Sequence, residues 1–183
     1  MSSETTEPIE TAVPAGPGGD GLDVGVLARL RVGHGFDVHP WATDADRPLV
    51  LGGVTFPDHV GLAGHSDADV VAHACTDAVL SATGHGDIGT MFPDTDPELA
   101  GADSVAMLRR AVAGVVDAGW CLVNVDCTVV LDHPKLAPHR ATIEARLSAA
   151  TGAPVTVKAK RSEGVGGLTD GVHGWAVALV VAP

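Results

Sequence analysis

The run Arg31-Val-Gly-His-Gly-Phe-Asp-Val-His39 constrains this chain more than any other stretch. It reads as a strand, and side chains two apart on a strand share a face, so Asp37 and His39 point the same way. A carboxylate and a neutral imidazole on one face make half of a zinc site. Asp-x-His is by itself a short pattern that also occurs by chance, and its weight depends on a third ligand from elsewhere in the chain. A chain of 183 residues is long enough for one domain with a real core. Hydrophobic residues make up 45% of it, but aromatics only 3%, and tyrosine is absent. Such a core is Val, Leu and Ala packed in thin layers, which suits a sheet covered by helices on one face.

In chain order, residues 1–28 hold five acids and no Lys or Arg, with Ser, Thr, Pro and Gly dominating the first 22. They cannot bury enough apolar surface to offset ordering entropy, so a disordered acidic tail is expected, with the folded domain at 29–183. Strands are expected over 29–39 and Pro48–Phe56, the second closed by Pro57 and Asp58. Ser66 reads as a helix N-cap with Asp69 three residues on, opening a helix over 67–83 that Gly84 stops. Gly84–Asp96 reads as a loop without regular structure. A helix over 104–118, a strand over 120–131, a helix from Pro138 to Ala150 and a strand over 155–160 follow. A glycine-rich loop over 164–174 and a buried strand over 175–181 end the chain. In the strand over 120–131, Val123, Val125, Cys127 and Val129 are expected on one inward face. The order ββααβαββ is that of an α+β domain.

The net charge of −12 argues against nucleic acid and anionic membrane surfaces, both of which need a basic footprint. The chain has no apolar run of membrane-spanning length and no signal or transit pattern at its start, so a cytoplasmic protein is expected. Cys75, Cys121 and Cys127 form no CxxC pair and read as small buried hydrophobes in a reducing compartment.

His73 is the natural third ligand, on a helix face that also carries Asp77 one turn away. A zinc-bound imidazole usually gives its other N–H to a carboxylate, and Asp77 is a candidate acceptor, with a surface His–Asp pair as the competing reading. Asp37, His39 and His73 would leave a fourth position open, the pattern of catalytic rather than structural zinc. Spacing alone equally allows three unrelated polar residues. Lys158, Lys160 and Arg161 are the densest basic cluster in an acidic chain, beside a glycine-rich loop, and are where a polyanionic substrate would sit. Solvated surface charge is the competing reading.

These residues fall into longer runs: Arg31 to His39, Gly64-His-Ser-Asp-Ala-Asp69, His73-Ala-Cys-Thr-Asp77, Gly86-Asp-Ile-Gly89, Phe92-Pro-Asp-Thr-Asp96, Gly101-Ala-Asp-Ser104, Asn124-Val-Asp126 and Pro134-Lys135. In order and spacing they resemble the 2-C-methyl-D-erythritol 2,4-cyclodiphosphate synthases of the non-mevalonate isoprenoid pathway. The resemblance implies a chorismate mutase-like α+β fold with a mixed sheet, assembled as a homotrimer with active sites between subunits. It implies one Zn²⁺ per subunit on Asp37, His39 and His73. It implies that His65 and Ser66 touch substrate, His65 stabilising the transition state. Asp87, Ile88, Gly89 and Phe92, Pro93, Asp94, Thr95, Asp96 would hold the methylerythritol part. Leu131, Asp132, His133, Pro134, Lys135, Leu136 and Ala137 would hold cytidine. A second ion, Mg²⁺ or Mn²⁺, would bind the substrate diphosphate through Glu163, in the Lys160-Arg161-Ser162-Glu163 run.

The last forty or so residues depart from the family pattern. Lys160 and Arg161 stand where two threonines are usual. One of those threonines normally stabilises the phosphate transition state, and Arg161 would take that catalytic place with more charge and more bulk. The usual arginine of the following glycine-rich loop has no clear counterpart. Two expectations therefore stand: an active synthase with a remodelled phosphate loop, and a non-catalytic trimeric paralogue that binds zinc and nucleotide.

Overall fold

The computed structural model describes residues 24–183. Residues 1–23 of the expected tail lie outside the described residues. The remaining tail positions are not without structure: Val24–Arg29 form a short helix, α1, which leads directly into the first strand. The Arg29 carbonyl accepts from Ala182 N, which ties the start of the domain to its end.

One sheet organises the domain. Its strands are β1 (Leu30–Pro40), β4 (Cys121–Val130), β5 (Val155–Lys160) and β6 (Gly171–Val181), in the order β1-β6-β4-β5. The β1/β6 and β6/β4 pairs are antiparallel and β4/β5 is parallel, so the sheet is mixed. Three helices pack on one face: α2 (Val70–Thr83), α4 (Ser104–Asp117) and α5 (Arg140–Thr151). The core between the layers is aliphatic, with Leu80, Leu108, Ile143, Leu147, Val125 and Val180 all buried.

Two glycines let β1 lie directly against α2. A Cβ on Gly33 would stand 2.1 Å from the Ala78 carbonyl oxygen, and one on Gly35 would stand 2.0 Å from that of Ala74. With no side chain at either position, strand and helix backbones approach closely. That approach brings His73 over the strand that carries Asp37 and His39.

Several elements differ from expectation. The strand expected over Pro48–Phe56 is a hairpin of β2 (Pro48–Leu51) and β3 (Val54–Val60). Gly52 and Gly53 turn it, at φ +57° and +72°, and consecutive positive φ values are the signature of a two-residue hairpin turn. Pro57 does not end β3, because an edge strand tolerates the missing donor. The N-cap of α2 is Asp69, not Ser66, and the helix starts three residues later than expected. The Asp69 carboxylate accepts from Val71 N and Ala72 N, and also from Gly52 N at 2.8 Å and Gly53 N at 2.6 Å. One buried acid thus fixes both the helix start and the hairpin turn. Burial pushes its pKa up, and the backbone donors of Gly52 and Gly53 restrain the rise.

The Gly84–Asp96 stretch contains a one-turn helix, α3 (Ile88–Met91), capped by Asp87. A 3₁₀ turn over Pro97–Leu99 follows. In β4 a register shift between Leu122 and Asn124 buries Leu122 and turns Val123 outward, contrary to a simple alternation. The last strand begins at Gly171, inside the expected loop, because β1 pairs with it as far as Pro40. Helix α5 starts at Arg140, two residues after Pro138.

Candidate metal centre

The sheet and α2 bring together the three residues expected to bind metal. Asp37 Oδ2 lies 3.0 Å from His39 Nε2 and 3.1 Å from His73 Nδ1, and the two nitrogens are 3.2 Å apart. Tetrahedral zinc with bonds of about 2.0 Å separates its ligand atoms by about 3.3 Å, so the three atoms outline one face of such a site. Both imidazoles are oriented for the task. His39 Nδ1 donates to the Ala63 carbonyl oxygen at 2.7 Å, which leaves the Nε2 lone pair facing the other two ligands. His73 turns Nδ1 inward and anchors Nε2 on buried hydroxyls, Ser104 Oγ at 2.8 Å and Ser66 Oγ at 3.1 Å.

The charges agree with this. Burial opposes ionisation of Asp37, but the adjoining imidazoles of His39 and His73 outweigh it and hold the carboxyl well below the usual carboxylate range. Burial also resists protonation of His39, and the neighbouring Asp37 more than reverses it, raising the imidazole above its ordinary value. A partly buried anion between two imidazoles is a site that favours a cation.

Asp77 is not the partner of His73. It accepts from Ile88 N at 2.7 Å and so holds the start of α3 against α2. Burial raises its pKa, and the Ile88 N–H opposes the rise. A carboxylate four residues along the helix shares a face with His73, but the ring reaches towards α4 instead. The hydroxyl partners Ser66 and Ser104 were missed. The sequence signals for them are the runs ending at Asp69 and Ser104, neither of which betrays its contact.

The triad opens into a cleft of about 440 Å³. His65, Ser66, Ile88, Gly89, Phe92 and Asp94 line it, joined by Leu99 and Met107, which sequence reasoning did not single out. His65 Nε2 donates to the Asp96 carbonyl at 2.8 Å and ties the two walls together. Asp87 faces its own helix, accepting from Thr90 N and Thr90 Oγ1, and these bonds lower its pKa. Pro93 and Thr95 are exposed in the turn that follows Phe92.

The other expected site residues gather elsewhere. Asp132, His133, Arg161, Ser162 and Glu163 line a cleft of about 690 Å³. Leu136 and Ala137 line a recess of about 110 Å³ beside α5 and β5. Leu131 is buried, Lys135 and Lys160 are exposed, and a cis peptide bond joins His133 to Pro134. Asp132 accepts from Ser162 Oγ at 2.6 Å and Ser162 N at 3.2 Å, with Arg161 Nε at 3.6 Å. Lys158 is not part of this group, because it pairs with Asp126 on the exposed face of the β4/β5 pair. The metal cleft and the Glu163 cleft share no lining residue.

A mixed α+β domain with a carboxylate–imidazole triad at the floor of an open cleft has the donor set of a metal-binding enzyme. The YgbB family matches residues 30–181, and the chain belongs to it. A 2-C-methyl-D-erythritol 2,4-cyclodiphosphate synthase from Bordetella petrii is 53% identical over 156 residues, 82% of this chain and 95% of the relative. A solved 2C-methyl-D-erythritol-2,4-cyclodiphosphate synthase is 41% identical with a TM-score of 0.75, covering 82% of this chain and 99% of that one. IspF from Plasmodium falciparum, solved as a CDP complex, is 31% identical with a TM-score of 0.69, over 83% of this chain and 96% of that one.

Proposed function

We propose that this chain converts 4-diphosphocytidyl-2-C-methyl-D-erythritol 2-phosphate to 2-C-methyl-D-erythritol 2,4-cyclodiphosphate and CMP, in the non-mevalonate isoprenoid pathway. The observation that carries the reading is the convergence of Asp37, His39 and His73 within 3.2 Å of one another at the floor of an open cleft. It is joined by the close likeness to synthases over most of the chain. No observation favours the non-catalytic paralogue.

An oxygen of the 2-phosphate attacks the β-phosphorus of the diphosphate, and a new P–O bond forms. The bond from that phosphorus to the bridging oxygen breaks, and its electron pair leaves with CMP. The nucleophile is already anionic near neutral pH, so no strong general base is required. The task is to position like-charged groups and neutralise charge as it moves to the leaving group. Asp37, His39 and His73 would hold Zn²⁺, which polarises and orients a phosphate when bound. Ile88, Gly89, Phe92 and Asp94 would seat the methylerythritol part beside it, with His65 over the reacting phosphate. Glu163 would hold Mg²⁺ or Mn²⁺ against the diphosphate. Leu131–Ala137 would take the cytidine, and the CDP complex of the Plasmodium relative supports a cytidine nucleotide as the ligand class. Arg161 and Lys160 would supply positive charge where the family pattern has threonines.

Because one chain splits these groups between two clefts, the full site is best explained by neighbouring copies. The sheet face away from the helices leaves Val32, Phe36, Val38 and Val177 at 67%, 43%, 43% and 44% exposure, an apolar surface suited to self-association. This apolar face supports a homotrimer as part of the proposal. Among the described residues no helix is long and apolar enough to cross a membrane, and a cytoplasmic location remains part of the proposal.

³¹P NMR of the protein with substrate, Zn²⁺ and Mg²⁺ tests the activity. Coupled cyclic-diphosphate signals with CMP are the expected result. Unchanged substrate, with zinc bound and the protein folded, would overturn it.

A further inference from the structure

Two sequence runs stand behind the Ser104 contact to His73: Asp67 within Gly64–Asp69, and the Gly101–Ser104 run. They meet behind the metal centre. Ser104 Oγ lies 2.8 Å from His73 Nε2 and also contacts Asp67 Oδ1, while Ser104 N donates to Asp67 Oδ2 at 3.2 Å. Asp67 N in turn donates to the Ala102 carbonyl at 3.0 Å, and Gly101 N to the His65 carbonyl at 2.8 Å. Ser104 is fully buried, and His73 is 7% exposed.

Counting donors sets the direction of this chain. An ionised Asp67 can only accept, so the single hydroxyl proton of Ser104 goes to it. Ser104 Oγ is then left to accept, and the only proton His73 Nε2 can offer is its own N–H. With Nε2 protonated, neutral His73 has its lone pair on Nδ1, the atom that faces Asp37 and His39. Ser66 Oγ fits the same order: it accepts from Ala68 N at 3.2 Å, lies 3.1 Å from His73 Nε2 as a second acceptor, and keeps its proton for Ser104 Oγ, 3.2 Å away.

We infer that Ser104 and Asp67 are positioning residues for the metal centre, a carboxylate–hydroxyl relay that fixes the tautomer and ring orientation of His73. The relay stands in for the direct carboxylate partner that a metal-bound imidazole commonly has. It also ties the metal ligand on α2 to the first residue of α4, so the two helices share one polar contact in an otherwise aliphatic interface. This inference rests on the metal centre proposed above.

The test uses the full-length protein. Ser104→Ala leaves the His73 N–H with the more distant Ser66 alone. Zinc affinity, read by competition with a chromogenic chelator, should fall by about tenfold to 100-fold. Asp67→Asn, which keeps the shape and weakens the acceptor, should show a smaller loss in the same direction. Separately, ¹⁵N NMR of the metal-free protein should show His73 as the Nε2–H tautomer in the wild type and a mixture in Ser104→Ala. The tautomer readout needs no metal, so a wild type that binds no zinc would defeat the metal reading and still leave the relay testable. Zinc affinity within twofold of wild type and unchanged imidazole shifts, in a folded Ser104→Ala or, should that variant not fold, in Asp67→Asn, would overturn the relay.

Discussion

The metal cleft and the loop around Glu163 are both assembled from residues far apart in sequence, but they are built in different ways. At the metal cleft every ligand is held from behind. Ala63 and the buried hydroxyls orient the two imidazoles, and the imidazoles hold Asp37. Around Glu163 the charged side chains point into solvent, and Asp132 is the main tether, through Ser162 and Arg161. Glu163 itself sits at φ +52°, a conformation that a non-glycine residue adopts only where its surroundings require it. The triad is assembled within a single chain, whereas in the proposed function the Glu163 loop is completed by substrate and a neighbouring copy. In the proposed function this contrast fits the chemistry, since a metal site needs rigid ligand geometry and a leaving nucleotide needs an open, charged loop.

Variants that separate these regions differ in expected size. His73→Ala should remove most bound zinc and lower the rate about 1000-fold or more, since metal polarisation supplies several kcal/mol. Zinc content at the wild-type level, by elemental analysis, would refute the ligand assignment. Gly35→Ala attacks the same region from below. Its Cβ would press on the Ala74 carbonyl and on Ala78 N, 2.5 Å away. Overpacking of this kind costs about 3 kcal/mol, and the melting temperature should fall by roughly 10 °C. A melting curve that matches the wild type would mean that β1 and α2 are not in such close contact.

On the loop side the effects should be smaller and should leave the metal in place. Glu163→Ala should lower kcat about tenfold to 100-fold through the second ion, with zinc unchanged. Loss of zinc in this variant would mean that the two regions are coupled, and the contrast drawn above would fail. The weakest effect concerns pH. The Ser162 hydroxyl, then its backbone N–H and Arg161, hold the Asp132 carboxyl below its ordinary value of 3.8. A lowered carboxylate contributes stability that is present above the ordinary value and is lost as pH falls through the lower, folded one. Amide exchange at Ser162, corrected for intrinsic pH dependence, should therefore stay slow down to about pH 4 and quicken only below it. Quickening at neutral pH would show that Asp132 does not tether the loop.

The sequence by itself determined what depends on neighbours along the chain. Strand alternation put Asp37 and His39 on one face, helical spacing located α2 and α4 to within a few residues, and the strand expected over 155–160 is β5. The motif runs were enough to indicate the family, and with it the metal triad. Only the tertiary structure decided what depends on partners distant in sequence. The two glycines that turn Pro48–Val60 into a hairpin are clamped by Asp69, from another element altogether. Val123 faces outward because pairing with β6 shifts register beside it. Asp77 shares a helix face with His73 yet serves Ile88, while His73 reaches Ser104, 31 residues away. Periodicity sets which way a side chain leaves its own element. Which hydrogen-bond partner it meets is set by the packing of that element against others, and a buried donor takes whichever acceptor that packing brings within reach.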